Sequence, residues 1–203
     1  KTTMKKSALS LSEVMTIVIL FHKSGFRFFK YFYCHMIIPF WKSAFPKLLS
    51  YNRFIEIMPR CLQALSSFFH QVKGEDTGIC IIDSTKLVVC HNLRIKRHRV
   101  FKGLAGRGKS STGWFYGFKV HIVINNLGEI INLKITSGSV HDVAVLESLT
   151  QELKGILLGD KGYLSKAKTE ALAARGLRLL TPSRKNMKNK PIQTEEEKQL
   201  LCR

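Results

Sequence analysis

The chain has 203 residues, 45% of them hydrophobic, with 33 Lys and Arg against 14 Asp and Glu, a formal charge of +19. That length holds one large domain or a small and a medium one with ample core, and the charge points to a polyanionic partner, nucleic acid ahead of a membrane surface or a ribosomal assembly. Five scattered cysteines without a CxxC pair argue against a disulfide frame or zinc site and read as reduced thiols in a cytosolic protein, while the longest apolar run, 14–21, is too short for a membrane anchor and lacks a cleavage site for export.

Residues 1–73 read as a helical region. Ser10 or Ser12 is placed to cap a helix whose apolar face holds Val14, Ile17, Val18 and Phe21, and Gly25 ends it. An aromatic run, Phe26 to Tyr33 interleaved with Arg27 and Lys30, precedes punctuation at Pro39 and Pro46. A further helix starts near Ser50, is kinked at Pro59 and continues through Leu62, Leu65 and Phe68. Between Glu13 and Glu56 no acid occurs. The aromatics fit the core of a small bundle, and its basic faces fit DNA contact as a second role.

A polar joint, Gln71-Val72-Lys73-Gly74-Glu75-Asp76-Thr77-Gly78, separates this region from a domain at 77–203. There the pattern turns to strands at 79–89, 114–125 and 129–136, the last two joined as a hairpin by Asn125-Asn126-Leu127-Gly128. His141-Asp142 caps a helix over 143–153, an apolar strand precedes Asp160, a helix covers 166–174, and a last strand covers 177–180. The expected class is α/β, a mixed sheet in the order βββ-α-β-α-β behind an N-terminal helical region.

Two stretches carry the chemistry. Ile79-Cys80-Ile81-Ile82-Asp83 and Gly155-Ile156-Leu157-Leu158-Gly159-Asp160 each read as a buried strand ending in a carboxylate. Such an end is costly unless compensated, by a divalent cation or by capping a turn. The chain has only four aspartates: Asp76 falls in the joint, and capping suffices for Asp142, with a metal-ligand role for His141-Asp142 as the second reading. That leaves Asp83 and Asp160. His121 and Tyr163 read as structural.

From Ser84 to Gly128 there is no acid, while Arg94, Lys96, Arg97, Arg99, Lys102, Arg107, Lys109 and Lys119 supply a single sign of charge. A glycine-rich basic loop of this kind, projecting beside Asp83, suits DNA phosphate contacts, and Lys161 adjoins Asp160. Gly103-Leu104-Ala105-Gly106-Arg107-Gly108-Lys109-Ser110 also matches the phosphate loop of nucleotide triphosphatases, which needs a buried strand before it and a helix after it. The flanks here are basic and strand-like. A P-loop NTPase and a non-catalytic basic nucleic-acid-binding protein are the alternative readings.

Ile81-Ile82-Asp83-Ser84-Thr85, Gly113-Trp114-Phe115-Tyr116-Gly117-Phe118-Lys119 and Gly159-Asp160-Lys161-Gly162-Tyr163, in this order and spacing, resemble the DDE transposases of bacterial insertion sequences. The IS982-like subgroup of the IS4/IS5-type group is the nearest in pattern, and the resemblance covers almost the whole chain. It implies an RNase H-like catalytic domain that uses Mg²⁺ or Mn²⁺ for DNA strand cleavage and strand transfer, with Asp83 and Asp160 as the first two catalytic, metal-binding acids. It further implies a homodimer on transposon terminal inverted repeats and target DNA, nucleoid-associated in a bacterial cytoplasm. The family's third acid is a glutamate on a helix beyond the last strand. The only acids in that region, Glu195, Glu196 and Glu197, form a solvated run after Pro191, so the third acid is expected beyond Arg203, in a truncated and inactive fragment.

Overall fold

A computed structural model describes residues 9–182, 194–195 and 200–201. The chain divides into two compact units, Lys1–Val72 and Lys73–Arg203.

The first unit is helical. α1 (Leu11–Lys23) opens on a capping box in which Ser10 Oγ accepts the Glu13 N–H at 3.3 Å and Glu13 Oε2 accepts the Ser10 N–H at 2.7 Å. α2 (Phe29–Phe32) passes through a wider π-type turn at Tyr33–Ile37 into α3 (Ile38–Phe40), so Pro39 lies inside a continuous helical path instead of interrupting it. α4 (Tyr51–Ile57) and α5 (Leu62–Val72) are joined by a 3₁₀ turn at Met58–Cys61 that takes up Pro59. Ile17, Phe32, Tyr33, Ile37, Phe54 and Ile57 form the core, and the Tyr33 hydroxyl donates to the Leu49 carbonyl at 2.8 Å. Phe28, Tyr31 and Phe40 are exposed, because the aromatic run is wider than one buried helix face.

The second unit is a six-stranded mixed sheet in the order β2-β3-β1-β5-β6, with β4 also on β3. Its strands are β1 (Ile79–Cys90), β2 (Gly106–Ser110), β3 (Gly113–Asn125), β4 (Ile130–Ser137), β5 (Gly155–Gly159) and β6 (Leu177–Leu180). β1 runs antiparallel to β3 and parallel to β5, and β5 runs parallel to β6. β2 pairs with Gly113–Gly117 of β3 and β4 with Phe118–Ile124, so β2 and β4 lie end to end along one edge of β3.

The sheet's inner face packs Cys80, Ile82, Val123, Leu157 and Leu177 against Val145, Leu146, Leu149 and Leu172 of the short α6 (Leu146–Leu149), its preceding turn and α7 (Lys166–Ala174). On the other face Ile81, Leu133 and Ile135 are exposed. Cys80 is fully buried, and burial pushes its thiol up to about 12.

Three expectations need correction. The helix expected over 143–153 is a 3₁₀ turn, Asp142–Val145, followed by the four residues of α6. The basic loop expected between the first two strands contains an additional strand, β2. That strand holds the GRGKS of the phosphate-loop pattern, hairpinned onto β3 with no helix following, so the P-loop reading fails on geometry. Its glycines serve strand contact: a Cβ on Gly108 would sit 2.2 Å from the Gly138 carbonyl oxygen. Isothermal titration with ATP is accordingly expected to show no binding that depends on Lys109; loss of measurable ATP affinity in Lys109→Ala would contradict this.

Candidate active site

The parallel register of β1 and β5 ends at Ile82↔Gly159. Asp83 and Asp160 are the next residue on each chain, so the backbone brings them to adjacent positions where β5 leaves the sheet. β1 does not stop there: β3 continues to pair with it as far as Cys90↔Tyr116. The expectation of a buried strand ending in Asp83 is therefore corrected, since Asp83 lies within a twelve-residue strand and is exposed, as is Asp160. Apolar burial places no demand on either carboxylate.

Each is held by a local amide. Asp83 Oδ1 accepts the Ser84 N–H at 2.7 Å, and Asp160 Oδ1 accepts the Gly162 N–H at 2.8 Å, capping the 3₁₀ turn Lys161–Tyr163. Alternation along β1 turns Asp83 toward the open face and Ser84 toward the helix-covered face.

The sequence pattern assigns Asp142 a capping role at the start of a helix. His141, not Asp142, occupies the cap position, and makes no side-chain cap bond. The Asp142 carboxylate instead reaches into the sheet: Oδ1 lies 3.0 Å from Lys119 Nζ and accepts the Ser84 hydroxyl at 3.2 Å. Lys119 also donates to the Val140 carbonyl at 3.0 Å, so its charge is engaged inside the protein as well as being near the cleft. His121 is fully buried between these groups, with Nε2 2.9 Å from Thr136 Oγ1 and Nδ1 3.8 Å from Asp142 Oδ1. Burial holds its pKa below the ordinary 6.5, against an opposing pull from Asp142. Tyr163 is buried as expected; desolvation raises its phenol, and the charges of Asp142, Asp83 and Asp160 all push it the same way.

A cleft of about 500 Å³ opens here, lined on one side by Asp142, Asp160 and Lys119 and on the other by Lys86, Lys109 and the Ser110-Ser111-Thr112 turn. Asp83 is not among its lining residues. The basic segment leaves β1 at Cys90, the end remote from Asp83, and the part of it that lines the cleft with Asp142 and Asp160 is the β2–β3 hairpin. Arg94, Lys96 and Arg97 lie on a 3₁₀ turn (Asn92–Arg97) with Arg99 and Lys102 in the turns beyond it, all five exposed. Arg107 and Lys109 stand over the exposed Trp114 ring at 5.1 and 5.9 Å. Lys161 is exposed next to Asp160. Glu195 is exposed; Glu196 and Glu197 lie outside the described residues.

Among the described residues no three His, Cys, Asp or Glu form a ready metal cage. Mg²⁺ does not require one. It is commonly bound through one or two carboxylates, with water and substrate phosphate completing the shell, and paired exposed aspartates beside a basic cleft fit that donor set. Among the described residues, no helix is long and apolar enough to cross a membrane.

Residues 73–203 match the family model described as Transposase DDE domain. A piggyBac transposase in a synaptic complex with hairpin DNA, solved by cryo-electron microscopy, is similar in structure with a TM-score of 0.53 at 12% identity, over 94% of this chain and 46% of that one. The likeness speaks for the fold, the mixed α/β sheet of an RNase H-like transposase catalytic domain, and the chain spans about half the length of that relative. No curated protein matches the chain in sequence. On the strength of the domain match over most of its length, the chain belongs to the DDE transposase family.

Proposed function

We propose that the protein is a DNA transposase of the insertion-sequence type, IS982-like in pattern, in which Asp83 and Asp160 hold divalent cations for strand cleavage and strand transfer. The observation that carries the reading is the β1–β5 register, which brings the two acid-bearing positions together at the end of a parallel pair. Mg²⁺ or Mn²⁺, when bound, would supply Lewis-acid activation of the attacking oxygen and stabilisation of the leaving one. The chain's own residues do the rest. Asp83 and Asp160, fixed by the Ser84 and Gly162 amides, orient the cation site. Lys86, Lys109 and the hydroxyls of Ser110 and Thr112 line the facing wall, where a DNA phosphate would be held.

The DNA partners are the element's own ends and a target duplex, engaged by a homodimer in the bacterial nucleoid, with the helical unit 1–73 adding contacts through its basic faces. The direct test is nicking of a plasmid carrying the element's ends. Cleavage should require Mg²⁺ or Mn²⁺, stop with EDTA and return when the cation is restored; cleavage that persists in EDTA would refute the reading. Binding to duplex DNA should weaken steeply with salt, and alanine at Arg94, Arg97 or Lys102 should each lower the log–log salt slope by about 1. An unchanged slope in all three would remove that segment from the interface.

A further inference from the structure

We propose that Asp142 is a further cation ligand of this centre, binding through Oδ2 opposite Asp160; the inference rests on the metal-dependent reading above. Among the described residues, the hydrogen bonds and ion pairs that reach Asp142 all end on Oδ1, from Lys119, Ser84 and His121. That leaves Oδ2 turned toward Gly162. A Cβ built on Gly162 would stand 3.1 Å from Asp142 Oδ2 and 2.9 Å from Asp160 Oδ1. Both carboxylates thus border the Gly162 backbone, where a larger residue would crowd them, Asp160 Oδ1 while accepting the Gly162 N–H, and Lys119 offsets one of the two charges.

A second observation is independent of the acids. His121 and Tyr163 are both fully buried, and among the described residues His121 Nδ1 and Tyr163 Oη have no hydrogen-bond partner. Buried polar atoms left unsatisfied mark a place where an ion or its water completes the bonding. Of the two, His121 Nδ1 faces the Asp142 carboxylate, 3.8 Å from Oδ1. Two neighbouring carboxylates with waters and a substrate phosphate are a ligand set that Mg²⁺ accepts. Asp142 reaches the site from the helix-covered side of the sheet, through the turn after β4, whereas Asp83 approaches from the open side.

The test is direct Mn²⁺ binding, followed by the electron paramagnetic resonance of the free ion, in the full chain and in Asp83→Asn, Asp160→Asn, Asp142→Asn and Lys119→Met. Asp142→Asn is expected to weaken binding by about tenfold or more, and Lys119→Met to leave it unchanged or tighter. Asp142→Cys should shift preference from Mn²⁺ toward the thiophilic Cd²⁺, a change that a purely structural residue would not produce. Wild-type Mn²⁺ affinity in Asp142→Asn, with affinity lost in Asp160→Asn, would overturn this inference alone. Wild-type affinity in all three aspartate variants, or no Mn²⁺ binding by the unaltered chain, would overturn the parent reading with it. Loss of the fold, by near-ultraviolet circular dichroism, in both Asp142 variants would assign the residue to a structural ion pair and reject the proposal.

Discussion

Asp83→Asn and Asp160→Asn are each expected to lower DNA strand cleavage by roughly three orders of magnitude or more, because a catalytic cation contributes several kcal/mol of transition-state stabilisation and each 1.36 kcal/mol is tenfold in rate. The substitution keeps shape and removes charge. Both aspartates are exposed, and among the described residues each is bonded only to a nearby backbone N–H, which a side-chain amide oxygen can still accept. Stability should therefore change little. DNA affinity should hold or rise, since one negative charge leaves a basic surface. The measurement is a time course of nicking on end-bearing plasmid, beside a gel-shift titration of the same preparations. Mg²⁺-dependent nicking retained in either variant would remove that residue from the catalytic centre, and a parallel loss of binding and cleavage would indicate a folding defect.

Much of this site is legible in the residues themselves. The apolar runs before Asp83 and Asp160 are short, β-branched or leucine-rich, and bounded by glycines, which is how strands buried in a parallel pair read. Their adjacency then follows from one register. Less legible is that Asp83 lies inside β1 and not at the end of a buried run: the pattern carries the strand to Val89, but that β3 stays beside it past Asp83 is a long-range pairing that local pattern does not announce. The role of Asp142 is hidden for the same reason: its hydrogen bonds span 58 positions to Ser84 and 23 to Lys119. Its one local signal, a polar residue at the start of a turn, is shared by every capping aspartate. A hint lay in arithmetic, since a chain with four aspartates and +19 net charge has few carboxylates to spare for ordinary capping. The phosphate-loop pattern misleads in the opposite sense. Its glycines answer to steric contact between β2 and the turn after β4, and a glycine selected for contact is spelled like one selected for phosphate.

Gly117→Ala is expected to destabilise the second unit by about 3 kcal/mol or more, at the upper end of what overpacking a well-packed interior costs. Gly117 lies on β3 opposite Val88, where the β1 register shifts by a bulge between Val88 and Cys90. A Cβ there would stand 1.9 Å from the Leu87 carbonyl oxygen, 3.0 Å from its carbon and 3.1 Å from the Val89 nitrogen. All three are backbone atoms of a paired strand, so no side-chain rotation relieves the clash; the ladder itself must part. Gly128→Ala is the contrasting case. Its φ of 83° strains an alanine, but a Cβ meets nothing within 4 Å, and the cost should be about 1 kcal/mol. Urea unfolding of the two variants separates the effects, and near-equal midpoints would mean that β1 and β3 do not approach as closely as described. The consequence reaches the candidate site. β1 carries Asp83, Ser84 and Lys86, while β3 carries Lys119 and His121 and pairs with the strand bearing Lys109. Parting these strands at Val88↔Gly117 would move Ser84 and Lys86 relative to Lys109 and Lys119 across the cleft. A folded remnant of Gly117→Ala should therefore lose cleavage more completely than its DNA binding, which draws on charges spread along the whole basic segment.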